Sequence, residues 1–191
     1  MNPFFYQKYA NVDGIGLLAP AEISDEQIVR GREIITGMLT GRPDLLATLV
    51  AHDTLVFIDP FRSRGIAFKF DDGWEAYIPE EDPVPHCGTF IHELGHLIHF
   101  ALEEQAGGDA FNARLRAAYQ TARTAGRWRG MYAMTNVKEY WAEMARMWLW
   151  EALPPSLQPY YSDLAAYDPE AAALVEEIFD DAASVPAACK P

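Results

Sequence analysis

Positive charge is scarce in this chain. Lysine and arginine number 15 against 28 aspartates and glutamates, a formal net charge of −13. No basic cluster offers a surface that tracks phosphates, which excludes a nucleic-acid-binding protein. An acidic surface either steers basic or neutral peptides towards itself or serves solubility alone. Long apolar runs are missing as well. None approaches the roughly 18 residues of a membrane span, which excludes a spanning helix. The start, Met1-Asn-Pro-Phe-Phe-Tyr-Gln-Lys8, has no extended apolar stretch, so no signal peptide is visible. A cytoplasmic protein and a mature secreted form both fit. Internal repeats and low-complexity linkers are absent, which leaves one domain over 1–191, long enough for a proper core. Cysteine occurs twice, as Cys87 and Cys189. One disulfide, two free thiols and a cysteine switch are the alternatives, because sequence does not show whether the two meet. Apolar mass is abundant: half of the residues are apolar and 13% are aromatic, which argues against disorder.

The order of elements reads as mixed. Ser24-Asp-Glu-Gln27 is a capping box that opens a helix to about Thr40, with Ile28, Ile35, Met38 and Leu39 on its buried face. Gly41-Arg-Pro43 breaks it, and a short helix over 44–51 follows. Segments 54–59, 65–70 and 74–78 have strand character, separated by Asp59-Pro60 and Asp71-Asp-Gly73. Pro79 to Pro85 reads as a rigid acidic connector. A helix then runs from about Gly88 to Gln105, where Gly107-Gly108 stops it. Asp109 caps a further helix to about Ala125, with Phe111, Leu115, Ala118 and Ala122 on one face. The arginines of Gly126-Arg-Trp-Arg-Gly130 contact a substrate or offset nearby acids. Asn136 caps the next helix, whose Trp141, Met144 and Trp148 recur at core spacing, and Pro154-Pro155 ends it. Asp168-Pro169 starts a last helix that turns Leu174, Val175, Ile178 and Phe179 inward.

The chemistry concentrates in His92-Glu93-Leu94-Gly95-His96, inside the apolar stretch from Phe90 to Leu102. Residues four apart on a helix share a face, so both imidazoles reach one metal ion. Glu93 lies about 100° round the helix, beside that ion, where its carboxylate takes a proton from water the metal activates. Burying two histidines and a glutamate among Ile91, Leu94, Leu97 and Ile98 costs several kcal/mol (roughly) unless something satisfies them. Imidazole nitrogen and carboxylate oxygen suit one Zn2+ ion, and a catalytic zinc needs a third protein ligand. The metzincin pattern would put Gly and His three and six residues after His96. Those positions hold His99 and Leu102, so that class is excluded. His99 is expected to support a ligand or to be partly exposed.

A second motif lies downstream, Tyr132-Ala-Met-Thr-Asn-Val-Lys-Glu139-Tyr-Trp-Ala-Glu143. With the first, over roughly 88–104 and 131–148, it resembles the gluzincin metallopeptidases. The likeness is to the group containing the catalytic domain of anthrax lethal factor and the Pro-Pro endopeptidases. The resemblance implies that Glu139 is the third zinc ligand, that Tyr132 donates a hydrogen bond to the oxyanion, and that Glu143 orients a ligand histidine. Each role has a physical reason. A carboxylate ligand leaves the metal Lewis acidic, a carboxylate on the second ring nitrogen fixes the tautomer, and a phenol aimed at developing charge favours the transition state. The implied fold class is α+β and zincin-like. A small sheet packs on the active-site helix in an N-terminal lobe (1–105), and a mainly helical C-terminal lobe (106–191) carries Glu139. One edge strand, 65–70 or 74–78, would pair with extended substrate. The implied activity is a zinc endopeptidase acting on peptide or protein, with secretion favoured by the resemblance. The alternatives are a catalytically silent zincin-like zinc-binding protein and an amidase of non-peptide substrates. The N-terminal third carries no likeness, and nothing in the sequence sets the oligomeric state.

Overall fold

The computed structural model describes residues 5–80, 87–150, 153–158, 160–179 and 183–189. A hairpin opens it: β1 (Lys8–Val12) pairs antiparallel with β2 (Ile15–Ala19). The turn is Asp13-Gly14, both at positive φ, 52° and 102°. Gly14 N–H donates to Asn11 Oδ1 at 2.9 Å. These two strands differ from the sequence expectation, in which the first strand is 54–59, although an Asp-Gly pair is a strong short-range hairpin signal.

Two helices follow on the way to β3 (Leu55–Asp59). Helix α1 (Asp25–Leu39) starts in the expected capping box: Gln27 N–H donates to Ser24 Oγ at 3.2 Å, and Ser24 N–H donates to Gln27 Oε1 at 2.8 Å. Its buried face holds Ile34, Ile35, Met38 and Leu39, with Ile28 half-buried. Pro43 does more than end that helix. It occupies the first position of α2 (Pro43–Ala51), where its missing N–H costs nothing.

Strands β4 (Ile66–Phe70) and β5 (Gly73–Pro79) form a second hairpin. The five strands make one mixed sheet in the order β1-β2-β3-β5-β4, with β2, β3 and β5 parallel. Of the two segments expected at the edge, 66–70 lies there. Segment 74–78 does not: it is interior, buried along most of its length between β3 and β4. On this edge strand Lys69 pairs with Glu104 of the next layer at 2.6 Å.

Helix α3 (Gly88–Glu104) is buried on every side from Phe90 to Leu102. It packs against β4 and β5 on one flank and α5 on the other, with α1, α2 and α4 also in contact. A helix that is apolar all round belongs at such a centre. Helix α4 (Gly108–Thr124) is capped by the backbone of Gly107, with Asp109 inside its first turn; the expected Asp109 cap is one residue pair too late. Helix α5 (Val137–Trp150) crosses α3, pinned by the Trp141 indole N–H donating to the Gly95 carbonyl at 2.8 Å. Short α6 (Leu164–Tyr167) and α7 (Pro169–Ile178) complete the seven helices among the described residues. The described chain is thus mixed α+β.

Cys87 and Cys189 are disulfide-bonded, which sets aside free thiols and a cysteine switch. Most of the acidic connector, residues 81–85, lies outside the described residues. No helix among the described residues is long and apolar enough to cross a membrane.

Candidate metal centre

Helices α3 and α5 carry the centre, and each presents a pair four residues apart. His92 and His96 lie on the face of α3 that meets α5; Glu139 and Glu143 lie on the facing side of α5. Asn136 fixes where α5 begins. Its Oδ1 accepts the N–H groups of Lys138 (2.8 Å) and Glu139 (3.0 Å), which puts Glu139 in the first turn.

Three ligand-type atoms converge. His92 Nε2 is 3.0 Å from Glu139 Oε2, His96 Nε2 is 3.3 Å from the same oxygen, and the two Nε2 atoms are 3.1 Å apart. Tetrahedral zinc bonds of ~2.0–2.1 Å would set ligand atoms ~3.3 Å from one another. The triangle has that size, so the residues fit a single ion, and His92, His96 and Glu139 form a group able to hold one. The chemistry of the donors agrees. Two imidazole nitrogens facing each other share room for one proton at most, and their lone pairs otherwise repel.

The cluster also demands positive charge. Burial disfavours a charged His92 ring, yet the hydrogen bonds to Glu139 and Glu143 outweigh it and raise its pKa to about 9. Burial lowers His96. Burial acts to raise Glu139, but hydrogen bonds with His92 and His96 prevail and hold its carboxyl well below the usual range. Glu143 is likewise lowered against its burial, by His92 and Arg146. What stabilises a proton here stabilises a cation.

Glu143 Oε1 lies 2.9 Å from His92 Nδ1. Accepting that N–H leaves the Nε2 lone pair turned into the cluster. Its other oxygen accepts from Arg146 Nη2 at 2.6 Å. Arg146 is a residue that sequence reasoning missed; its place three residues after Glu143 on a helix was the available signal.

Glu93 is buried and Tyr132 is 59% exposed, and both border an open cleft. One half of about 430 Å³ lies beside β4 and the start of α5. The other, about 490 Å³, runs past Gly88, Thr89 and Arg146. Arg64, Gly65, Glu93 and Tyr132 border both. Tyr132 lies in a single 3-10 turn, its ring centroid 5.8 Å from that of His92. Burial and the charges of Glu139 and Glu93 raise its pKa, so it keeps its proton. Gly65, also missed, is a close approach: a Cβ there would come within 2.5 Å of Glu93 Oε1.

One expectation fails. His99 is buried, at 2% exposure, and its Nε2 meets Asn112 Oδ1 at 2.8 Å, so it neither touches a ligand nor faces solvent. Of the two readings of the 126–130 arginines, Arg127 takes the second: it pairs with Asp168 and Glu170, borders neither half of the cleft, and offsets acids. Compared with family models, curated proteins and solved structures, the chain matches none of them.

Proposed function

We propose that this protein is a zinc-dependent endopeptidase of the gluzincin type with a zincin-like fold. The observation that carries the reading is the triangle of His92, His96 and Glu139, 3.0–3.3 Å on its sides, at the base of a cleft that Glu93 and Tyr132 also line.

Bound there, zinc would supply Lewis acidity, making water a better acid and a carbonyl a better electrophile. The remaining work falls to side chains. Glu93 takes a proton on its carboxylate and returns it to the departing amine. Gly65 leaves that carboxylate the room to do so. Tyr132 O–H donates to the carbonyl oxygen as negative charge grows on it. Glu143 holds the His92 ring in one tautomer, and Arg146 holds Glu143. A cleft open on both sides of Tyr132 suits a chain passing through, where a small-amide hydrolase would want a closed pocket. The free edge of β4 offers backbone hydrogen bonds to such an extended chain.

The test is digestion of a proteome-derived peptide library by the zinc-loaded protein, with new termini read by mass spectrometry and Glu93→Gln as the blank. The expected result is internal cuts by the wild type, reduced about 10²–10⁴-fold in the variant, which still holds one zinc. Equal cutting by both proteins would sink the mechanism. No cutting by a protein shown to hold zinc would leave a silent zinc-binding protein instead.

A further inference from the structure

The chain carries 13 more negative than positive charges, yet the half-cleft beside β4 has the opposite bias. Arg62, Arg64 and Lys138 line it, and its only carboxylates among the described residues are Glu93 and Glu139. Those two are committed to the centre: with neutral imidazoles, their two negative charges cancel a divalent ion. Arg62 is also committed, 3.6 Å from Asp59 and 4.4 Å from the centroid of the Tyr77 ring. Arg64 and Lys138 enter no ion pair among the described residues. Each stands one residue from a group of the reacting centre, Arg64 before Gly65 and Lys138 before Glu139. The same half-cleft is lined by apolar Ile66, Ala67 and Phe100, and the Lys138 ammonium sits 5.8 Å from the Phe100 ring centroid.

We propose that this half-cleft is a subsite for an acidic substrate residue, whose carboxylate is read by Arg64 and Lys138 while its methylenes lie against Ile66 and Phe100. The proposal rests on the peptidase reading and names its substrate class. The ligand chemistry is a carboxylate; because the cleft continues on the far side of Tyr132, it is a side chain within the peptide. The long-range field of the acidic protein opposes such a substrate, but that field is screened beyond about 8 Å at physiological ionic strength. Direct contacts to two cations that have no ion-pair partner among the described residues are not. Local charge therefore overrides the net charge that would favour basic peptides.

The experiment has two arms. In the first, wild type and the double variant Arg64→Glu/Lys138→Glu digest the same library, with C-termini amidated in a parallel sample. The expected result is Asp and Glu enriched about 2- to 20-fold at one subsite, as two partly exposed ion pairs would give. The enrichment should persist after amidation and turn into Lys and Arg enrichment in the variant, with zinc content unchanged. Cuts without acidic enrichment, or enrichment that survives charge reversal, overturn the subsite and leave the peptidase standing. Enrichment lost on amidation assigns the pair to a terminal carboxylate and overturns the side-chain reading. In the second arm, zinc-loaded Glu93→Gln binds a fluorescein-labelled Glu-containing peptide and its Gln counterpart, read by anisotropy. Absence of cuts in the first arm defeats the peptidase reading; equal binding of the two peptides defeats the subsite, whichever way the first arm falls.

Discussion

Helix α5 borders two buried carboxylate clusters, and they are built on opposite principles. Asp168, fully buried, accepts from the Trp128 indole N–H (2.7 Å) and the Tyr140 hydroxyl (2.8 Å) on one oxygen. The other oxygen receives Ala171 N–H and Arg127 Nη1, both at 3.4 Å. Every donor there is fixed by covalent structure, so the cluster is complete in itself. The His92–His96–Glu139 cluster instead points three lone-pair atoms at one another and is balanced only by added positive charge. Burial alone does not distinguish a functional polar cluster from a structural one. The supply of donors does.

The comparison breaks most visibly in stability. Asp168→Ala orphans a buried indole N–H and a buried hydroxyl and removes the cap of α7. It should cost about 3–5 kcal/mol in urea unfolding, and the loss should be the same with zinc or with chelator. His96→Ala should behave in the reverse way. Little should change in chelator, while the zinc-linked stabilisation, about 2.7 kcal/mol at a hundredfold excess over the dissociation constant, should vanish from thermal melts. A chelator-sensitive Asp168→Ala, or a His96→Ala that melts lower in chelator, would erase the distinction. Glu143→Gln tests the support of the centre. Zinc affinity should fall about 10–100-fold by competition titration, with the fold unchanged by circular dichroism.

The smallest effect is on pH. His92 is raised from 6.5 to about 9 when no ion occupies the cluster, so its stabilising contribution is present in full below pH 6.5 and fades as pH rises through 9. His96, lowered by burial, acts in the opposite sense and below 6.5. The melting temperature of chelated protein should therefore decline between pH 6.5 and 9, and that of the zinc-loaded protein should stay flat there, because metal replaces the proton. Parallel profiles would place the titrating group elsewhere.

The sequence disclosed one cluster better than the other. His92, Glu93 and His96 are legible because four-residue spacing on one helix is local, and the apolar run around them marks the helix. Glu139 is 47 residues from His92, and its partnership depends on how α5 crosses α3. Only a resemblance suggested it, and the distances now place the two together. Asp168 was read correctly as a cap, since Asp-Pro at a helix start is local too. Its larger role, gathering Trp128 and Tyr140 from 40 and 28 residues away, leaves no local trace. Helices α1, α3, α5 and α7 were legible from caps and apolar periodicity. The strands of the β1–β2 hairpin were not, because β2 is buried along nearly its whole length and shows no alternation; only its Asp13-Gly14 turn carried a local signal. Arg64 and Lys138 look like ordinary surface charges until the fold brings both into the lining of one half-cleft.

The bridge between Cys87 and Cys189 has a consequence for integrity. It closes a covalent ring of chain that contains α3, α4 and α5, and with them His92, Glu93, His96, Tyr132, Glu139 and Glu143. A single break anywhere in that ring, self-inflicted or foreign, leaves both fragments on one molecule, and the packed halves need not separate. Such a nicked protein would migrate as one band until reductant is added, then as two.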